Sequence, residues 1–206
     1  HVVRAELALY AGKCLGCREV ETRNQRKVEQ QETDVPVAPH GNVQRLAHDA
    51  LHGRMGDLTD SAFGMATLFA LDRHGAKTLL DGFAAAPDRV IILDRYVASN
   101  AAYTKARTGD PAAVKWVYEL EFEKLSLPKP DLQVLVDTNP DVARERAAAR
   151  EEQDESRTRD RYERDAGLQA ATFEAYAELA EMNWGSRWLR TSDPAVIMQA
   201  LGELAQ

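Results

Sequence analysis

The chain has no apolar run approaching the roughly 18 residues that a membrane-spanning helix needs. Its first residues, His1-Val-Val-Arg-Ala-Glu, lack a signal-peptide pattern, so no membrane association is expected and a cytoplasmic location is the default. Cysteine is scarce. Cys14 and Cys17 form a single C-x-x-C, and a structural zinc site would require about four ligands. A thioredoxin-like reading needs a surrounding fold that the remaining pattern does not suggest, which leaves two unrelated thiols. Positive charge is also short: 26 Lys and Arg against 33 Asp and Glu give a formal charge of −7. That balance excludes a nonspecific nucleic-acid binder but not a small phosphorylated ligand held by a local arginine cluster. No repeat, low-complexity tract or linker interrupts the 206 residues. One domain over 1–206 is expected, large enough to bury a core without disulfides.

From about residue 44 the pattern alternates between helical and strand-like segments, which predicts a mainly parallel central sheet with helices on both faces. Helices are expected over 44–53, 61–83, 99–107 and 111–125. Strands are expected over 89–93, 132–136 and 187–190. Residues 141–150 form an alanine- and arginine-rich helical stretch, 153–158 is polar, 162–182 reads as one long helix, and 195–205 as the last.

The most informative stretch is Leu93-Asp-Arg-Tyr-Val-Ala-Ser-Asn-Ala-Ala-Tyr103, directly after the apolar run Val90-Ile-Ile-Leu93. A carboxylate and a guanidinium emerge together where a buried strand ends, and in open α/β sheets that edge is where ligands bind. Asp94 suits a magnesium ion or its water shell, and Arg95 a phosphate. Asn100 and Tyr103 are three apart and share a helix face. Asp-Arg alone would equally suit a surface salt bridge; the full string is what favours a site.

Leu93 to Tyr103 resembles the signature segment of thymidylate kinases, which convert dTMP to dTDP. Met65-Ala-Thr-Leu-Phe-Ala-Leu-Asp-Arg73, Leu127-Pro-Lys-Pro-Asp131 and Arg161-Tyr-Glu-Arg-Asp165 follow in the order of that family. The likeness runs from about residue 50 to 190 and is strongest toward actinobacterial members. It implies a P-loop nucleoside monophosphate kinase fold, ATP and dTMP as substrates, Mg2+ as cofactor with Asp94 as metal residue, and a homodimer. It also implies that Phe69 stacks on thymine, Arg73 donates to a ring carbonyl and Asn100 reads the neighbouring ring edge. Arg95 would hold the acceptor phosphate with Ser99 nearby, and Tyr103 would pack beneath the deoxyribose. Asp160 and Tyr162 match positions on the acceptor side. Gly12 and Lys13 would meet the donor phosphates, and Arg146, Arg150 and Arg157 would lie in a lid over about 146–160. Taken on spacing alone, Phe69 would be a core aromatic, Lys13 a surface lysine, and the arginines a solvated helix face paired with Glu145, Glu151 and Glu152.

The first 43 residues depart from the family. A P-loop has the form G-x-x-x-x-G-K-[ST], but Leu7 replaces the first glycine and Cys14 or Leu15 stands at the hydroxyl position. Small residues let backbone amides approach phosphates, and the missing hydroxyl is the usual magnesium ligand. The family's Phe-Pro-Arg element is reduced to Pro36 or Pro39, and Arg18 to Glu32 is too polar for a core-facing helix. Three explanations stay open: a decayed kinase, a loop that works with unusual residues, or residue identities over 1–43 that differ from those of the functional protein. Confinement of the departure to one end favours the third. The alternatives to dTMP kinase activity are a catalytically silent dTMP-binding relative and a kinase for another nucleoside monophosphate.

Overall fold

The structure, a computed structural model, describes residues 3–8, 17–20, 41–84, 90–136, 162 and 165–204. The strands are β1 (Val3–Ala8), β2 (Cys17–Val20), β3 (Val90–Asp94), β4 (Leu132–Leu135) and β5 (Arg187–Arg190). They form one sheet in the order β2-β3-β1-β4-β5. β1, β3, β4 and β5 run parallel, in register Val3↔Val90, Ala5↔Leu132 and Leu132↔Arg187. β2 is antiparallel to β3, with Cys17 opposite Leu93. Only residues 9–16 separate β1 from β2, too few for the crossover that a parallel strand demands. The amphipathic helix that follows a P-loop does not occupy Cys17–Val20, which is a strand.

The helices are α1 (Gly41–Leu51), α2 (Ala62–Gly75), α3 (Lys77–Ala84), α4 (Val97–Thr108), α5 (Ala112–Tyr118), α6 (Ala166–Glu181) and α7 (Pro194–Leu204). α5 runs into a π-helical turn, Glu119–Lys124, closed by Leu125 N donating to Leu120 O at 2.9 Å. Of the long helix expected over 162–182, Tyr162 is helical, but Asp165 is extended and α6 begins at Ala166. The Asp165 carboxylate caps it by accepting from Leu168 N at 2.9 Å, satisfying a backbone donor that the helix cannot pair internally. The expected helical stretch 141–150 and the polar segment 153–158 lie outside the described residues.

Strand alternation divides the core. Ile91, Leu93 and Leu135 pack with Val97, Ala101, Val117, Tyr176 and Leu179 on one face. Ile92, Leu132 and Val134 meet Ile197, Ala200 and Leu201 of α7 on the other. A period of two therefore buries both faces, and the expected two-sided α/β architecture stands. α4 is the central helix, packed against α2, α5 and α6. That burial on several sides explains why Ser99, Asn100 and Thr104 are buried among its apolar residues.

Candidate active site

β3 delivers Asp94 and Arg95 to the carboxyl edge of the sheet, with Asp94 in register with Leu7 of β1. Because β3 and β4 flank β1 on opposite sides, the chain reverses direction across β1 there, the usual location of a ligand crevice in such sheets. Arg95 has φ +63, a left-handed conformation that costs a non-glycine residue free energy and clusters at functional sites. Asp94 Oδ1 and Arg95 Nε are both shielded from solvent. The Arg95 guanidinium lies 5.5 Å from the centre of the Tyr103 ring, which is in the second turn of α4.

Tyr103 links this edge to a second group of aromatics. Its ring stacks on Tyr162 at 5.9 Å with 19° between planes, and Phe69, Tyr103 and Tyr162 share an apolar cluster with Met65 and Leu51. Gln169 Nε2 donates to Tyr103 Oη at 3.4 Å and to Tyr162 O at 2.8 Å. Arg107, on the last turn of α4, lies 4.7 Å over the Tyr162 ring and donates to its hydroxyl. It also donates to Thr59 O at 2.5 Å. An open cleft of about 350 Å³ adjoins Tyr162, lined by Thr59, Asp60, Arg107, Asp165 and Leu168 among others.

Arg73 and Asn100 meet through a residue outside the sequence expectations. Glu121, fully buried in the π turn, accepts from Arg73 Nε at 2.6 Å and Nη2 at 2.7 Å. Asn100 Nδ2 donates to the same carboxylate at 2.7 Å and to Ala66 O at 2.9 Å. A buried charge is tolerable only when paired and hydrogen-bonded, and this carboxylate accepts three charge-assisted or neutral hydrogen bonds. A sequence signal existed: Glu121 falls four residues after Val117 and seven after Val114, on the apolar stripe of α5. Arg107 carried no such signal, because its partners, among them the Thr59 carbonyl and the Tyr162 hydroxyl and ring, are distant in sequence.

Ser99 is buried and accepts from Tyr176 Oη at 2.5 Å, which fastens α4 to α6. The structure thus gathers Phe69, Tyr103 and Tyr162 around one cluster, sets Arg95 over Tyr103, and joins Arg73 to Asn100. Gly12, Lys13, Arg146, Arg150, Arg157 and Asp160 lie outside the described residues.

A mainly parallel sheet with an Asp-Arg pair at its carboxyl edge, leading into a helix that carries an asparagine and a tyrosine, fits the nucleoside monophosphate kinase class that the family match shows. The family model for thymidylate kinase matches residues 11–186. The thymidylate kinase of Mycobacterium tuberculosis strain H37Rv is 54% identical over 147 residues, covering 70% of this chain and 68% of the relative, and the sequence from strain CDC 1551 gives the same figures. A probable thymidylate kinase of Archaeoglobus fulgidus is 38% identical over 60 residues, 29% of this chain and 28% of its own. The chain belongs to the thymidylate kinase family, whose members are ATP-dependent phosphotransferases.

Proposed function

We propose that this chain transfers the γ-phosphoryl group of ATP to dTMP, giving dTDP and ADP. The observation that carries the reading is the Asp94-Arg95 pair at the end of β3 with Arg95 poised over Tyr103. An α-phosphate oxygen of dTMP attacks the γ-phosphorus. The bond from that phosphorus to the β–γ bridging oxygen breaks, and ADP leaves. Such a transfer asks the protein mainly to position two anions and to neutralise developing charge.

Arg95 clamps the acceptor phosphate, aided by the shielding that strengthens its charge. Phe69 lies against the thymine ring, with Arg73 and Asn100 addressing its polar edge. Tyr103 sits beneath the sugar and disfavours a 2′-hydroxyl. Ser99, Asp160 and Tyr162 complete the acceptor side. Gly12 and Lys13 meet the β- and γ-phosphates, while Arg146, Arg150 and Arg157 belong to a lid over about 146–160 that excludes water. Magnesium fits Asp94: this ion takes one or two carboxylates plus substrate phosphates and water. When bound, the ion neutralises charge on the phosphates. A single domain, homodimeric assembly and a cytoplasmic location complete the proposal; no described helix is long and apolar enough to cross a membrane.

One observation favours a second reading, a catalytically silent dTMP binder: Cys17–Val20 is a strand where the helix of a working phosphate loop would begin. A coupled ADP-release assay with ATP, magnesium and dTMP separates the two, run beside mass-spectrometric sequencing of residues 1–43. Turnover supports the kinase. Absence of turnover with dTMP still bound supports the silent relative.

A further inference from the structure

The Arg73–Glu121–Asn100 network has a chemical polarity. Glu121 and the Ala66 carbonyl offer only acceptors to Asn100, so both of these contacts require the Nδ2 hydrogens. A flipped amide would set its oxygen against a carboxylate and a carbonyl, a repulsive arrangement in a site where Asn100 is 5% exposed. The side-chain orientation of Asn100 is therefore decided by Glu121 and Ala66 rather than by any ligand. Its Oδ1, an acceptor, is the atom left to meet a base.

The same carboxylate holds Arg73 through two parallel hydrogen bonds, which pins the guanidinium plane as well as its charge. Glu121 lies on the π-helical turn rather than on α5 proper. Such turns are rare and recur at functional positions.

We propose that Glu121 is a specificity-determining positioning residue, which locks Asn100 with its oxygen outward and so selects acceptor bases that carry a hydrogen on N3. Thymine and uracil present N3–H, a donor that matches Oδ1. Cytosine presents a bare N3, an acceptor that opposes it. The inference rests on the dTMP reading above and deepens it, since Asn100 must face the base. Glu121 touches no substrate atom; it acts through Asn100 and Arg73.

The test is the isosteric substitution Glu121→Gln, whose amide can place a donor against Asn100 and leave the Ala66 carbonyl as the one pure acceptor that still opposes a flip. Dissociation constants for dTMP, dUMP and dCMP are measured by calorimetry, which needs no working phosphate loop, and circular dichroism checks the fold. Discrimination between dTMP and dCMP is expected to fall by roughly tenfold or more, because a site built for one hydrogen-bond pattern rejects the other through unpaired buried groups. The dTMP-to-dUMP ratio should stay unchanged, since both bases share N3–H; general loosening of the pocket would shift it. In an Asn100→Ala background, Glu121→Gln should produce a smaller loss of discrimination than in the wild type, the remainder passing through Arg73.

A folded Glu121→Gln that keeps the wild-type dTMP-to-dCMP ratio overturns the proposal, as does an equal weakening toward all three nucleotides. If Glu121→Gln does not fold, Glu121→Asp is read in the same way: its shorter carboxylate cannot span Arg73 and Asn100, so an unchanged ratio overturns the proposal and a reduced one supports it. Wild-type protein that binds dTMP and dCMP equally would instead remove the dTMP reading itself.

Discussion

At the residue scale, Arg95 and Glu121 show two ways in which a charge is placed in this protein. Arg95 sits at a strand end in a left-handed backbone conformation, where the fold absorbs strain to present a guanidinium at the ligand edge. Arg95→Ala should weaken dTMP binding by about 1.5–3 kcal/mol, the value of a charge-assisted contact; calorimetry showing unchanged affinity would take Arg95 out of the site. The Asp-Arg pair stood out in the sequence only through the full string Leu93 to Tyr103, since the two residues alone would equally suit a salt bridge. Glu121 was legible only as an anomaly on an apolar stripe, since its partners Arg73 and Asn100 are 48 and 21 residues away. Truncation to Ala leaves Arg73 buried without that carboxylate, so Glu121→Ala should cost about 3–5 kcal/mol in urea unfolding, far more than the isosteric Gln.

At the scale of elements, most helices and strands after residue 41 lie near their expected places, and the differences have local causes. α6 starts at Ala166 because Asp165 supplies a cap. α4 begins two residues before the expected 99. The region expected to be helical to 125 changes pitch at Glu119, which no hydrophobic period announces. Asp165→Ala should lower stability by about 1 kcal/mol, the usual value of a cap, seen as an earlier urea midpoint with unchanged slope. The proposed lid belongs to this scale too. Arg150→Ala should lower turnover far more than dTMP affinity, whereas equal losses would argue against a lid role.

Over the whole molecule, the sheet places residues from three helices around one edge, and its two faces bury separate clusters. Leu132, wholly buried between β4 and α7, should cost about 2–5 kcal/mol when cut to Ala, read from denaturant unfolding. Ligand linkage offers a global test of the two functional readings. At a hundred times its dissociation constant, dTMP should add about 2.7 kcal/mol of stability, or roughly 5–10 °C in melting temperature for a chain of this size. A working phosphate loop should give ATP with magnesium a comparable shift, and a decayed one should give none.

By itself the sequence determined the fold class and the family, and it named candidate groups for the acceptor edge, because alternation, helical spacing and the string Leu93 to Tyr103 are local patterns. It also singled out residues 1–43 as departing from the family's motifs, although the family model already matches from residue 11. Only the tertiary structure decided that β2 turns antiparallel, that Ser99 fastens α4 to α6 through Tyr176, and that Glu121 joins Arg73 to Asn100. Those outcomes depend on which elements come to lie side by side. A carboxylate on an apolar stripe announces that it needs a partner, but which partner it finds is settled by the packing of α2, α4 and the π turn.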